Sequence, residues 1–189
     1  MLSFFHDLHL FVRVLLLVRE QKGLCYYTIG SAGHEGNAAV AKAFAIKDMA
    51  FLHYRSMPFF IQRSQQQEGS TPIKDALLSL MASSEDPIAG GRHKVIGSLE
   101  LNIPPQTSTI ASHLPKAVGA ALSIPKLKDL GLKGRLEDDS VILCSFGDAS
   151  ANHATALSAF NTAALISYQS LRLPLVFVCE DNNIGISVP

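Results

Sequence analysis

The stretch SVILCSFGDASANHATALSAFNTAALISYQSLRLPLVFVCEDNNIGISVP, residues 140–189, decides the fold of this chain. Two apolar runs within it, residues 141–146 and 173–179, have the composition of buried parallel strands. The segment between them, residues 150–171, is rich in Ala and compatible with a helix. The stretch therefore predicts one βαβ unit, whose right-handed crossover makes the two strands parallel.

Polar residues follow each apolar run. Gly147 and Asp148 follow the first run, and the residues 180–183 follow the second. Both turns are expected at the carboxyl edge of the sheet, where open α/β sheets bind ligands. A carboxylate, an amide and nearby backbone carbonyls form an all-oxygen set, which suits Mg²⁺ or Ca²⁺ better than zinc. A helix N-cap at Asp148 and a turn at Asn182 are the structural alternative, because Asp and Asn favour both places.

Composition limits the class of protein. The chain has 189 residues, of which 48% are hydrophobic and 17% charged, and its net charge is zero. The length and the high apolar content favour one domain with a hydrophobic core over disorder. The net charge of zero gives no indication of binding to nucleic acid or to a membrane surface. The apolar run at 8–18 is too short for a membrane span and lacks a signal-peptide cleavage site, so residues 4–21 are predicted to form a buried helix. The three cysteines form no CxxC pair and are predicted to be buried, reduced thiols.

Periodicity and turn residues predict the remaining elements and indicate a compact α/β core. Residues 83–106 contain several Gly and Pro residues, so an irregular binding loop is predicted there. Four histidines, at 34, 53, 113 and 153, are predicted to be solvated or capping, and Lys116 to lie on the surface. Helices are predicted at 37–45, 58–63, 73–82 and 111–122, a short strand at 49–54, and a charged connector at 126–140.

An ordered set of motifs resembles one family, the α subunit of 2-oxo acid dehydrogenase E1 components. The segment Gly-Asp-Ala-Ser at 147–150, followed by Asp181-Asn182-Asn183, resembles the thiamine-diphosphate motif of that family. The matching segments occur in the family's order and cover residues 24–189. The resemblance implies a thiamine-diphosphate-binding fold, incomplete at the C-terminus, with a mostly parallel sheet and helices on both faces. The whole chain, residues 1–189, is then one partial cofactor-binding domain. The other matching segments are Gly-His-Glu-Gly at 33–36, Tyr54-Arg55, residues 107–119 and residues 180–187.

The resemblance also implies a set of site residues. The Mg²⁺ ligands are the Asp148 carboxylate, the Asn182 amide and the Ile184 carbonyl, completed by the two phosphates of thiamine diphosphate and a water. Arg55, beside Tyr54, clamps the diphosphate. Ser108 and Ile110 contact the aminopyrimidine ring. Backbone amides near the phosphates come from Gly147, Ala149 and Ser150.

The sequence departs from the family pattern at three points. Ala149 replaces a second glycine, which requires a negative φ at that position. Asp181 replaces an asparagine and adds charge beside the site. The 34 positions from Asp148 to Asn182 exceed the usual spacing, and the surplus is expected at residues 166–173, as a longer helix or a loop.

The function implied by the resemblance is decarboxylation of a 2-oxo acid on thiamine diphosphate, with acyl transfer to the lipoyl domain of an E2 component. The activating glutamate comes from a β subunit or fused β half, so no catalytic residue is assigned here. The implied location is the mitochondrial matrix or the bacterial cytoplasm. Alternatives are a transketolase-like or acetoin-cleaving enzyme, or a truncated, non-catalytic structural fragment. A nicotinamide dinucleotide site is disfavoured because no G-x-G-x-x-G follows a strand.

Overall fold

A computed structural model describes residues 25, 29–92, 95–106 and 108–186. The helix predicted over residues 4–21 lies outside this part. Within it, no helix is long and apolar enough to cross a membrane. In chain order the elements are α1 (Asn37–Ala43), β1 (Ala50–Phe51), α2 (Met57–Ser64), α3 (Pro72–Leu80), β2 (Ile96–Ser98), β3 (Ile103–Gln106), α4 (Leu114–Asp129), β4 (Ile142–Gly147), α5 (Ala154–Tyr168) and β5 (Leu175–Glu180).

The chain divides into two compact units. Unit 1 is Met1–Ile46 with Tyr54–Ser108, and unit 2 is Lys47–His53 with Thr109–Pro189. Unit 2 carries β1, β4, β5 and the helices α4 and α5, whereas unit 1 carries the other helices and a hairpin. That both units belong to one cofactor-binding domain stays a prediction.

The sheet of unit 2 is parallel, as the sequence predicts. Its strand order is β1-β4-β5, and both neighbouring pairs run in the same direction. The pairing of β4 with β5 extends over their whole length, from Ile142 opposite Leu175 to Gly147 opposite Glu180. The two long strands therefore end side by side at one edge of the sheet.

The core of unit 2 lies between one face of this sheet and the two helices. Ile142, Cys144 and Phe146 alternate along β4, so they share that face. The rings of Phe146, Phe160 and Phe177 pack against one another, with centroids 5.0 to 6.2 Å apart. Both helices contribute to this one core, and helices on the opposite face stay a prediction. The small buried side chains that let the helices approach are Ala117, Ala121, Ala156 and Ala159.

The helix predicted at 111–122 begins later and ends later than expected. It runs as α4 from Leu114 to Asp129, and Pro125 lies inside it. A proline usually ends a helix because it removes a donor and clashes with the preceding turn. Here Ile124 is buried and anchors the following turn, and the helix ends where Gly131 has a φ of +64°. The predicted start of the charged connector at residue 126 is therefore wrong.

The prediction that residues 83–106 contain no regular structure is also wrong. In unit 1, β2 and β3 form an antiparallel hairpin, although β3 contains Pro104 and Pro105. A two-stranded sheet tolerates proline because each strand has an unpaired edge. The backbones approach closely at Gly97, where an added Cβ would lie 2.8 Å from the Cα of Pro105.

A buried arginine joins three parts of unit 1. Arg63 on α2 is fully buried and donates hydrogen bonds to the carbonyls of Leu101 (3.2 Å) and Ala45 (3.1 Å). Its guanidinium also lies 4.8 Å from the ring centroid of Phe59. These contacts fix α2 against the segment after α1 and against the hairpin turn.

The cysteines differ in burial. All three are free thiols, and Cys144 is buried in β4 as predicted. Cys25 is half-buried, and Cys179 is exposed on β5. The predicted burial of Cys179 is wrong because β5 is the last strand of the sheet of unit 2, with no strand paired beyond it among the described residues.

Candidate functional site

The carboxyl edge of the unit 2 sheet collects the residues predicted from the thiamine-diphosphate motif. Because Gly147 pairs with Glu180, the chain leaves β4 at Asp148 beside the point where it leaves β5 at Asp181. Asp148 is half-buried, whereas Asp181 and Asn182 are exposed. The structure therefore brings six of the predicted residues of unit 2 to the ends of these two neighbouring strands. Those at this edge are Gly147, Asp148, Ala149, Ser150, Asn182 and Ile184.

The first turn at this edge is a single 3₁₀ turn, Asp148–Ser150. The Ser150 hydroxyl donates to the Gly147 carbonyl at 2.7 Å, and the Ala151 N–H donates to the Asp148 carbonyl at 3.0 Å. Ala149 lies within this turn and is not among the residues of positive φ. The requirement for a negative φ at this alanine is therefore met.

The Asp148 side chain does not behave as a helix cap. Its carboxylate makes no hydrogen bond and no ion pair with the residues that the structure describes. An N-cap carboxylate would accept a bond from a backbone N–H of the following turn. The geometry thus does not support the capping alternative at Asp148.

Asn182 does form the turn that the alternative interpretation predicts. Its side-chain oxygen accepts the N–H of Ile184 at 3.0 Å. Asp181 makes the equivalent bond to the N–H of Asn183, which has a φ of +56°. An amide oxygen has two lone pairs, so this turn does not prevent it from binding a cation. The turn also orders the backbone around the predicted carbonyl ligand, Ile184.

The edge is electrostatically negative. Partial burial raises the pKa of the Cys179 thiol, and the carboxylates of Asp148, Asp181 and Glu180 raise it further. The three carboxylates therefore act on one point at the end of β5. Oxygen donors from a carboxylate, an amide and a carbonyl fit a hard divalent cation such as Mg²⁺. The residues present at this edge thus fit the metal that the motif implies.

Three other predicted residues belong to unit 1. Tyr54 and Arg55 are half-buried and precede α2, whereas the predicted strand over 49–54 ends already at Phe51. Arg55 donates from Nη1 to the Gly30 carbonyl at 2.8 Å, and its guanidinium lies 5.1 Å from the Tyr54 ring centroid. A guanidinium has five N–H donors, more than this bond uses. Ser108, at the end of unit 1, is half-buried.

The segment before α4 is conformationally strained. Ile110 is exposed, and the next residue, Ala111, is buried with a φ of +59°. An alanine in this region of φ costs free energy that the surrounding structure must offset. The Ser112 hydroxyl bonds the Thr109 carbonyl at 3.0 Å and helps to hold this bend.

Buried histidines were missed from the sequence. His34, His53 and His113 are buried, so the solvated alternative of the prediction is wrong for these three. His153 is exposed and caps α5 by accepting the Thr155 N–H at 3.2 Å, as predicted, and Lys116 is exposed as predicted. The available signal for His53 was its position directly after the apolar residues 50–52, and for His113 its position directly before the apolar Leu114.

Two of these histidines form hydrogen bonds to Ser145 of β4. The His53 N–H donates to the Ser145 hydroxyl at 2.9 Å, and its Nδ1 lies 3.3 Å from Glu180 Oε2. His113 donates from Nε2 to the Ser145 carbonyl at 2.6 Å. Burial lowers the pKa of His113 to about 4, so its ring is neutral at physiological pH.

Comparison with known proteins gives a consistent result. A family model described as dehydrogenase E1 component matches residues 10–189. The 2-oxoisovalerate dehydrogenase subunit alpha of Bacillus subtilis is 28% identical over 190 residues, covering 94% of this chain and 52% of the relative. The mitochondrial subunit of the same name in Caenorhabditis elegans is 27% identical over 186 residues, covering 97% of this chain and 38% of the relative. The chain thus spans about half or less of the length of these relatives.

Proposed function

This chain belongs to the dehydrogenase E1 component family, and from that premise we propose that it is the cofactor-binding part of a 2-oxo acid dehydrogenase E1 α component. The names of the matched relatives support a branched-chain 2-oxo acid, of the 2-oxoisovalerate type, as the substrate. The reaction is oxidative decarboxylation with transfer of the acyl group to a lipoyl domain of E2. The proposed location is the mitochondrial matrix or the bacterial cytoplasm.

One observation carries the proposal. The in-register ends of β4 and β5 place Asp148, with no hydrogen bond to the residues that the structure describes, beside the turn that contains Asn182. A carboxylate without a local partner next to further oxygen donors is suited to a divalent cation. We assign Asp148, Asn182 and the Ile184 carbonyl as the Mg²⁺ ligands on the protein side.

The other site residues hold the organic part of the cofactor. Arg55, supported by Tyr54, provides charge-assisted donors for the diphosphate. Backbone amides of Gly147, Ala149 and Ser150 face the phosphates, and Ser108 and Ile110 contact the aminopyrimidine ring. When bound, thiamine diphosphate supplies the carbanion chemistry, so the tasks of this chain are binding, orientation and exclusion of water.

The proposed reaction requires an E1 β part, either a separate subunit or a fused half. We assign no catalytic acid or base to this chain, and the activating glutamate is assigned to an E1 β subunit or a fused β half. Such a partner would complete an α₂β₂ assembly or a fused dimer. This assignment leaves the present chain with the metal and diphosphate side of the site.

Calorimetric titration of the 189-residue chain tests the proposal. With Mg²⁺ present, thiamine diphosphate is expected to bind with micromolar affinity, and chelation of the metal should abolish the heat of binding. Free thiamine, which lacks the diphosphate, is the matched control and should not bind. A chain that binds neither Mg²⁺ nor the cofactor would instead favour the alternative of a non-catalytic structural module.

A further inference from the structure

A buried polar contact lies directly behind the proposed metal site. His53 Nδ1 and Glu180 Oε2 are 3.3 Å apart, and only 9% and 5% of the two side chains are exposed. His53 follows β1 by two residues, and Glu180 is the last residue of β5. Since β4 lies between these strands, the contact joins the outer strands at the edge where β4 ends.

The residue of β4 at this point is Gly147, which pairs with Glu180. Its φ of −79° is open to any residue, so backbone conformation does not require glycine here. A Cβ on residue 147 would, however, lie 3.2 Å from His53 Nε2. His53 is held at its backbone by Ser145 and at its ring by Glu180, so it has little room to give way. The position of the His53 ring therefore explains why residue 147 is a glycine.

We propose that His53, Ser145 and Glu180 form a clasp that positions the metal-binding turns, an inference that rests on the proposed function. Asp148 follows Gly147 directly, and Asn182 follows Glu180 by two residues. The clasp fixes the separation of these strand ends, and none of its three residues is itself an assigned ligand. Metal ligands depend on such supporting contacts, because the cation tolerates only small errors in their positions.

The first test addresses the clasp without any cofactor. Gly147→Ala should lower the Tm of the chain by about 3 °C or more, because the added methyl group meets a buried, held ring. In a His53→Ala background the same substitution should have little effect. If Gly147→Ala lowered the Tm equally in the unsubstituted chain and in the His53→Ala chain, the proposed contact between residue 147 and the His53 ring would be wrong. If the His53→Ala chain fails to fold, His53→Ser, which also removes the ring, takes its place.

The second test separates positioning from stability. Glu180→Ala should weaken thiamine diphosphate binding at saturating Mg²⁺ by about tenfold or more. It should also raise the Mg²⁺ concentration needed for half-saturation. Glu180→Gln, which keeps a hydrogen-bond acceptor, should restore most of both affinities. A Glu180→Ala chain with a lower Tm but unchanged affinities would overturn the positioning role.

The two tests also separate this inference from the function on which it rests. If the unsubstituted chain binds no cofactor, the proposed function fails. The Tm comparison of Gly147→Ala with and without His53→Ala still decides whether the clasp exists. If the unsubstituted chain binds cofactor and the Glu180 variants bind equally well, the positioning role alone fails.

Discussion

At the scale of single residues, His113 shows how burial sets the charge of a side chain. It is 2% exposed, and its Nε2 donates to the Ser145 carbonyl. Its Nδ1 has no hydrogen-bond partner in the part of the chain that the structure describes. Burial disfavours the charged ring and lowers its pKa from 6.5 to about 4, against the opposing effect of the bond to Ser145.

This histidine predicts a loss of stability in acid. Between pH 6.5 and about 4 the unfolded chain binds a proton at His113 that the folded chain does not bind. The free energy of unfolding should therefore fall by about 1.4 kcal/mol per pH unit as the pH is lowered through this window. Urea unfolding at pH 7 and pH 5 measures the difference, to which this residue contributes about 2 kcal/mol. In His113→Gln that contribution should vanish, and an unchanged pH dependence would contradict the assignment.

A substitution at Asp148 should change cofactor binding without changing the stability of the fold. Asp148→Asn keeps the size of the side chain but removes the charge, so Mg²⁺-dependent binding of thiamine diphosphate should weaken by about a hundredfold. The carboxylate has no hydrogen bond to the described residues to lose, so the free energy of unfolding should stay within about 0.5 kcal/mol.

Isothermal titration and urea unfolding of the same Asp148→Asn preparation measure both quantities. Asp129→Asn, at the exposed end of α4, is the matched control and should leave cofactor binding unchanged. A strong loss of stability in Asp148→Asn without a change in binding would show that Asp148 is a structural residue.

At the scale of elements, two of the wrong predictions concern segments that contain proline. The prolines at 104 and 105 disfavour a paired strand, and Pro125 disfavours the interior of a helix. In both places buried side chains, Ile103 and Ile124, anchor the element and outweigh the local preference. The helix α5 and the strand β5, which contain no proline, agree with the prediction to within a few residues. The α5 helix ends at Tyr168, so only the first three residues of the segment at 166–173 are helical and the other five form a turn at Ser170 and an irregular stretch before β5.

Two glycines offer a matched test of this packing. Gly97→Ala should destabilise the hairpin by about 1–3 kcal/mol, because the new Cβ meets the backbone of Pro105. Gly119→Ala, inside α4 with open space around it, should stabilise the chain by about 0.5–1 kcal/mol. Urea unfolding of the two variants gives the comparison. The changes in the free energy of unfolding should have opposite signs in the two variants. A Gly97→Ala chain of unchanged stability would mean that the hairpin is not closely packed at this residue.

At the scale of the whole molecule, each unit is built from two separate parts of the chain. The strand β1 of unit 2 comes from residues 47–53, whereas its partner β4 begins near residue 142. Backbone contacts close this long loop, including the bond from the Leu143 N–H to the Met49 carbonyl at 2.9 Å. The Asp48 carboxylate accepts the Val141 N–H at 2.8 Å at the start of the same strand. Residues 47–53 are therefore needed for unit 2 to form its sheet.

Cofactor binding should stabilise the molecule as a whole. With Mg²⁺ and thiamine diphosphate at a hundred times its Kd, the free energy of unfolding should rise by about 2.7 kcal/mol. For a chain of this size that corresponds to an increase in Tm of about 5–10 °C. Thermal scans with and without a chelator measure the effect, and the Asp148→Asn chain should show none of it. An equal increase in Tm without Mg²⁺ would mean that the cofactor does not bind at the proposed metal site.

The sequence by itself determined the βαβ unit, the parallel pairing of its strands and the position of Asp148 and Asn182 after them. These follow from local information, because apolar runs, an Ala-rich segment and polar turns are read along a continuous stretch. Only the tertiary structure decided that Gly147 lies under His53, that Glu180 is buried beside that ring, and that His113 is neutral. Each of these depends on residues distant in the chain, whose burial and contacts are set by packing rather than by local preference.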